Sequence, residues 1–139
     1  MSDKFFLDTN IFVYSFDKKH PKKANIANEL IRSAFETKNG LVSYQVVQEF
    51  SNVALKGFKH SFTHEELKVY FLKILKPICL INWSSELFLK SLEIAKKTKY
   101  SLYDSLIISA AILGNCTTLL TEDLSDGQKI EGLRIVNPF

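Results

Sequence analysis

The sequence has few of the residues that mark a disulfide scaffold, a fibre or a membrane protein. Its 139 residues include two cysteines, three prolines and five glycines. Cys79 and Cys116 lie far apart and form no C-x-x-C pair, which argues against a zinc knuckle or a dithiol redox motif. Both thiols are predicted to be reduced and buried. The longest apolar run, residues 106–113, is too short to span a membrane, so none of these three classes of protein is expected.

The composition is that of a water-soluble globular protein. The chain is 46% hydrophobic and 24% charged, with a mean hydropathy of zero. A chain of this length buries roughly two-thirds of its unfolded surface, so residues 1–139 are expected to form one domain. The net charge of +3 is compatible with a nucleic-acid partner but does not indicate one by itself. Asp3 and Asp8 would interrupt a secretory signal, so a cytoplasmic location is expected.

Strand-like and helix-like segments alternate along the chain. Short apolar runs predict strands over residues 4–8, 41–44, 78–82 and 117–121, with residues 133–136 as a fifth candidate. Helices are predicted over residues 20–38, 45–56, 63–76, 84–99 and 103–113. This alternation predicts a three-layer α/β fold in which helices flank a central, mainly parallel sheet of four or five strands.

Local signals mark several helix ends. Thr63 and Glu66 have the spacing of a capping box, and Pro77 is expected to end the helix that they begin. The next helix is expected to be capped by either Ser84 or Ser85.

Four acidic residues lie where the local pattern would place an apolar residue or the end of a strand. Asp8 closes the first predicted strand, and Asp123 follows the fourth. Glu49 lies one turn beyond the end of the second strand, and Asp104 begins an almost wholly apolar helix. Because the carboxyl ends of parallel strands meet at one edge of an open sheet, the first three acids are expected to lie there. Asp104 joins them if its helix begins at the same edge.

Four neighbouring carboxylates predict a bound divalent cation. Two such charges 4 Å apart repel by about 4 kcal/mol at an effective dielectric constant of 20, and a buried carboxylate is costly unless it is compensated. Ligation by oxygen alone favours Mg²⁺ or Mn²⁺ over zinc. Each acid taken singly would also be explained as a helix cap or a turn residue, but a metal site explains all four together.

Five segments that contain these acids or close the chain have a recognisable form. They are F-L-D-T-N-I at 6–11, Q-E-F at 48–50, L-Y-D-S-L-I at 102–107, L-T-E-D-L at 120–124 and I-V-N-P-F at 135–139. In order and spacing, from residue 5 to residue 139, the chain resembles the PIN-domain ribonucleases, and among them the VapC-type toxins of bacterial toxin–antitoxin pairs.

The resemblance implies an endoribonuclease that uses Mg²⁺ or Mn²⁺ to hydrolyse RNA, with a protein antitoxin as its partner and a homodimer as its assembly. The residues that match the acidic quartet of the family are Asp8, Glu49, Asp104 and Asp123. Asp8 and Asp104 are expected to be the main metal ligands, and Glu49 and Asp123 to complete the site directly or through water. The residues expected to orient a carboxylate or a water are Thr9, Asn10 and Thr121.

Three other features each have two interpretations. Asp126, which precedes Gly127, is either a turn residue or a further acid of the site. A lysine cluster either binds RNA phosphates or is a solvated helix start; it consists of Lys18, Lys19, Lys22 and Lys23. The eleven phenylalanines belong to the core, or some of them line an exposed groove for the antitoxin. A histidine metal site is not expected, because the capping box places His60 outside the helix that contains His64, and His20 precedes a proline in a surface turn.

Three alternative functions have to be compared with this interpretation of the sequence. A phosphatase of the haloacid-dehalogenase type needs a second acid two residues after its aspartate nucleophile, where this chain has Asn10. A non-catalytic module that binds RNA or protein would gain nothing from clustered negative charge. A PIN nuclease of RNA maturation, acting without an antitoxin, fits the same residues.

Overall fold

A six-stranded sheet forms the centre of the structure, a computed structural model that describes residues 3–139. Its strands are β1 (Lys4–Leu7), β2 (Gly40–Ser43), β3 (Cys79–Ile81), β4 (Cys116–Leu120), β5 (Lys129–Ile130) and β6 (Leu133–Val136). They are ordered β3-β2-β1-β4-β6-β5, and all neighbours are parallel except β5 and β6. The predicted α/β fold with a mainly parallel sheet is confirmed. The two-residue β5 adds an edge strand that is too short to produce a sequence pattern.

Seven helices surround this sheet in the described part of the chain. They are α1 (Thr9–Tyr14), α2 (Pro21–Thr37), α3 (Tyr44–Lys56), α4 (His64–Tyr70), α5 (Lys76–Ile78), α6 (Ser85–Thr98) and α7 (Leu102–Leu113). The capping box is confirmed, because Thr63 accepts a hydrogen bond from the Glu66 amide and the Glu66 carboxylate accepts one from the Thr63 amide. Ser84 is the cap of α6, and its hydroxyl accepts a hydrogen bond from the Leu87 amide at 3.0 Å.

The prediction that Pro77 ends the helix capped by Thr63 is wrong. After α4 the chain continues through a π-helical turn, Phe71–Leu75, into α5, which contains Pro77. Pro77 lies in the first turn of α5, where the fixed φ of proline suits a helix. The wider π turn before it lets the backbone continue without a break.

The centre of the sheet sets the position of the polar residues that follow its strands. Phe6 and Leu7 of β1 and Leu119 of β4 are completely buried. Leu7 is level with Leu120 across the β1–β4 pair, and the Asp8 amide donates to the Leu120 carbonyl at 3.0 Å. Because the two strands are parallel and in this register, the residues after them leave the sheet at the same edge and the same height.

Both cysteines are free, but they differ in burial. Burial raises the pKa of the Cys116 thiol to about 12, as expected for an unreactive core cysteine. Cys79 is only half-buried, contrary to the prediction, because its strand β3 lies at the edge of the sheet. Within residues 3–139, none of the helices combines the length and the apolar character that a bilayer span requires.

Candidate active site

Asp8 is the buried centre of the polar residues at this edge of the sheet. It caps α1 and is only 7% exposed. Its Oδ1 accepts a hydrogen bond from the Thr9 amide at 2.7 Å, and its Oδ2 accepts one from the Thr121 hydroxyl at 2.8 Å. Burial raises the pKa of the Asp8 carboxyl to about 6; the charges of Glu49 and Asp123 also raise this pKa, while the two hydrogen bonds lower it.

Glu49 reaches the same place from the second turn of α3. Its Oε1 accepts a hydrogen bond from the Thr9 hydroxyl at 2.7 Å, and its Oε2 accepts one from the side-chain Nε2 of Gln45 at 3.2 Å. Thr9 therefore binds two of the predicted acids, Asp8 through its backbone amide and Glu49 through its side chain.

Asp123 is attached to this group from the loop after β4. The Asn10 Nδ2 donates to the Asp123 carboxylate at 3.2 Å and lies 3.5 Å from the Thr121 hydroxyl. That hydroxyl also accepts a hydrogen bond from the Asp123 amide at 3.1 Å. Thr121, which is completely buried, thus connects Asp8, Asn10 and the backbone of Asp123. The three residues predicted to orient carboxylates each hold at least one acid of the quartet.

Asp104 is not hydrogen-bonded to these three acids, and its charge is not among those that raise the pKa of Asp8. It is in the first turn of α7, is half-buried, and donates its backbone amide to the Ser101 hydroxyl at 3.1 Å. The connection to the other acids runs through its neighbour Tyr103, whose carbonyl accepts a hydrogen bond from the Gln45 Nε2 at 3.2 Å. The same Nε2 donates to Glu49, so one glutamine spans the gap between α7 and the buried acids.

The carboxylates do not form a finished coordination sphere. In the described range 3–139, no three Asp, Glu, His or Cys side chains are arranged so that they would hold a metal ion as they stand. Each of the three connected acids accepts a hydrogen bond from a neutral donor instead: Asp8 from Thr121, Glu49 from Thr9, and Asp123 from Asn10.

The atoms at the site nevertheless fit a hard divalent cation. The available ligands are carboxylate oxygens, together with the Asn10 Oδ1, which is buried and has no hydrogen-bond partner among the described residues. Buried polar oxygens are normally satisfied. No basic side chain contributes to the raised pKa of Asp8, so its charge is compensated only by two neutral donors. Oxygen donors of this kind suit Mg²⁺ or Mn²⁺.

Asp126 and one lysine of the cluster make contacts outside the group of acids. The Asp126 carboxylate accepts a hydrogen bond from the Asn137 amide at 2.9 Å, and Gly127 has a φ of +85°, as in a turn. In the lysine cluster, Lys23 is paired with Glu122 at 2.7 Å, and Tyr14 also donates to that glutamate. The other three lysines of the cluster are exposed.

Gln45 is the residue of the site that sequence reasoning missed. It stands four residues before Glu49 on α3, which is the spacing that places two side chains on the same helix face. That spacing would have been the signal, because an amide is a natural hydrogen-bond partner for a carboxylate at this distance along a helix.

Comparisons with known proteins identify relatives of this fold. A family model described as "PIN domain" matches residues 5–125. No curated protein sequence matches the chain significantly. A toxin–antitoxin complex from Klebsiella pneumoniae contains a similar chain, with a TM-score of 0.68 and 23% identity over 99% of this chain and 98% of the other.

Two further solved structures are similar. The first is VapBC2 from Rickettsia felis bound to a DNA fragment from its promoter, with a TM-score of 0.62 and 23% identity over 94% and 96% of the two chains. The second is DNA-bound VapBC from Salmonella typhimurium, with a TM-score of 0.64 and 21% identity over 99% and 100%. At these identities the likeness shows a common fold.

Proposed function

The chain belongs to the PIN domain family, a family made up generally of nucleases, and from that premise we propose that it is a metal-dependent endoribonuclease and the toxin of a toxin–antitoxin pair. One observation carries the nuclease proposal: Asp8 is buried at the carboxyl edge of the sheet, with the charges of Glu49 and Asp123 close enough to raise its pKa. A buried carboxylate with a raised pKa, other acids nearby and no basic partner is a candidate functional site, and a divalent cation would supply the positive charge that this group lacks.

In this proposal, the metal is held by Asp8 and Asp104, and Glu49 and Asp123 complete the site directly or through water. When bound, a divalent cation supplies a water of lowered pKa and neutralises charge on the scissile phosphate. Thr9, Asn10, Gln45 and Thr121 act as positioning residues, because each donates a hydrogen bond to one of the carboxylates.

The first test is RNA cleavage by the purified protein. We expect single-stranded RNA to be cut in Mg²⁺ or Mn²⁺ and to stay intact in EDTA. Asp104→Asn should lower the rate by at least about 100-fold, because it removes one of the two proposed metal ligands and changes around such a ligand already cost about 10- to 100-fold. Asp3→Asn is the matched control, since Asp3 is exposed before β1. Cleavage in EDTA at the same rate would contradict metal dependence.

The antitoxin partner is proposed from an apolar groove away from the acids. The groove has a volume of about 550 Å³ and contains Phe16, Phe62, Val69, Tyr70 and Ile74, with charged residues at its rim. Phe16 is 41% exposed and Val69 is 49% exposed, although both are large apolar side chains. The similar solved chains come from toxin–antitoxin complexes. An apolar helix or extended segment of an antitoxin is the occupant that fits such a groove.

We expect Val69→Lys to weaken the complex with a co-expressed antitoxin by at least about tenfold, which corresponds to about 1.4 kcal/mol. The charge would lie in the groove, where the partner would have to desolvate it. Leu72→Lys is the control, because Leu72 is equally exposed at 48% but lies outside the groove. Titration calorimetry or a pull-down with the product of the neighbouring frame measures the difference. Equal affinities of the two variants would place the antitoxin elsewhere.

Each alternative function predicts a different experimental result. A PIN nuclease of RNA maturation would cut RNA, have no neighbouring antitoxin frame and be harmless when overexpressed. A non-catalytic module would bind RNA without cutting it at any metal concentration. The homodimer and the cytoplasmic location belong to the same proposal and are tested by light scattering and by cell fractionation.

A further inference from the structure

A small pocket lies next to the candidate active site, on the side of α7. It is formed where β2 passes into α3, after β3, and at the starts of α6 and α7, and it has a volume of about 160 Å³. Three aromatic side chains line it, and they are exposed to unusual extents: Trp83 is 76% exposed, Tyr103 is 71% exposed and Tyr44 is 50% exposed. Exposed aromatics that surround one cavity indicate a binding surface more than core packing.

Polar side chains also line this pocket. Gln48 and Asn82 are both exposed there, so their side-chain amides are accessible to a ligand. Ser43 is a further lining residue, but it is only 3% exposed and its hydroxyl is buried. The hydrogen bonds to a ligand would therefore come from the two amides.

The pocket shares one residue with the candidate active site. Gln45 lines the pocket, and its Nε2 donates both to the Glu49 carboxylate and to the Tyr103 carbonyl. One residue is therefore shared between the pocket wall and the acidic group. A molecule in the pocket would lie immediately beside the predicted metal site.

We propose that this pocket binds one unpaired nucleobase of the RNA, next to the phosphate that is cut. The inference rests on the proposed function and deepens it. Single-stranded RNA is bound largely by stacking of its bases on aromatic side chains, and Trp83, Tyr44 and Tyr103 offer such faces. The described residues that line the pocket carry no charge, so it suits a base and not a phosphate.

The size and the polar lining agree with a single base. Pockets for whole drug-sized ligands measure about 300–1,000 Å³, and this one is smaller, as a site for one planar ring system should be. Gln48 and Asn82 add two side-chain amides to the lining, and such groups hydrogen-bond the edge of a base. The pocket would therefore favour cleavage in single-stranded or loop RNA, because a paired base cannot enter it.

The chain offers a direct probe, because Trp83 is its only tryptophan. The experiment titrates the full chain with a single-stranded RNA octamer that has no self-complementarity, in EDTA so that nothing is cut, and follows tryptophan fluorescence. We expect saturable quenching by the octamer and none by the same sequence in a duplex. Tyr103→Ala should weaken binding by about 5- to 150-fold, the range found when a stacking aromatic is removed, and Tyr103→Phe should restore it.

A matched control and two contrary results make the test decisive. Phe88→Ala changes an aromatic that is 42% exposed on α6 but outside the pocket, and it should leave binding unchanged. An octamer that binds wild type and Tyr103→Ala equally would overturn the proposal. It would also be overturned if Tyr103→Ala split a dimer into monomers in light scattering and left RNA binding unchanged, because the pocket would then be an interface between copies.

The same preparations separate this inference from the function on which it rests. If the wild type cuts RNA in Mg²⁺ but its fluorescence does not respond to the octamer, only the base pocket is wrong. If the fluorescence responds as expected but no RNA is cut in any metal, the proposed nuclease is wrong and base binding in the pocket is supported.

Discussion

Asp8→Asn should abolish RNA cleavage and leave the fold intact. Asparagine has the shape of aspartate, and its side-chain oxygen can still accept the hydrogen bond that the Thr9 amide now gives to Asp8. What the variant loses is the negative charge that a divalent cation would need at the buried centre of the site. Because changes around a metal ligand already cost about 10- to 100-fold, the loss of the ligand itself should lower cleavage by at least about 100-fold.

The measurement is the initial rate on a fluorescently labelled single-stranded RNA in saturating Mn²⁺, with circular dichroism as the check on folding. Asp126→Asn provides a useful comparison, since that carboxylate supports the Asn137 amide in a turn. A variant at Asp8 that folds and cuts at the wild-type rate would remove Asp8, and with it the whole proposed site, from the reaction.

The parts of the site that were predictable are those that depend on strand ends. Asp8 and Thr121 follow β1 and β4, and the parallel register of these strands brings the two side chains to 2.8 Å from each other. A strand end can be read from a short apolar run followed by a polar residue. The general rule that sites form at the carboxyl edge of such sheets then predicts where the site lies, without any knowledge of side-chain positions.

The parts that were not predictable depend on short elements and on side-chain choices. The helix α1 has only six residues, fewer than two turns, so no hydrophobic period can reveal it, although Asp8 is a good N-cap. Its existence brings Thr9 and Asn10 back over the sheet edge to hold Glu49 and Asp123. The distance of Asp104 from the other acids is likewise set by the packing of α7, which no local pattern encodes.

The aromatic residues also include some whose positions were predictable and others whose positions were not. Phe12 and Phe50 are completely buried and pack edge to face at 6.4 Å, as expected for most phenylalanines of a core. Composition alone does not say which aromatics remain outside. The exposed faces of Phe16 and Trp83 depend on where α1 and β3 end, so the two surfaces proposed for an antitoxin and for a base became visible only in three dimensions.

Asp8→Asn should also make the metal-free protein more stable than the wild type above neutral pH, and metal should remove most of that difference. Burial raises the pKa of Asp8 from 3.8 to about 6, which corresponds to about 3 kcal/mol. Since the folded state holds this proton more tightly, the free energy of unfolding of the wild type should fall as the pH rises from about 4 to above 6. The variant does not titrate there, so at pH 8 in EDTA it should be more stable by up to about 3 kcal/mol. The two proteins should converge near pH 4.

Denaturant unfolding at pH 4, 6 and 8, in EDTA and in Mn²⁺, measures both effects. Mn²⁺ at a hundredfold excess over its Kd should stabilise the wild type by about 2.7 kcal/mol, and Asp8→Asn should lose most of that gain. Asp3→Asn should follow the wild type under every condition, because Asp3 is exposed. Parallel pH curves for wild type and Asp8→Asn would show that the Asp8 charge costs the fold nothing. An equal metal response in the two proteins would show that the cation binds without Asp8. An aspartate whose charge is stabilised by an ion pair would give the opposite sign at pH 8, a loss of stability on substitution, so the direction of the change distinguishes a carboxylate that is strained without metal from one whose charge the fold stabilises.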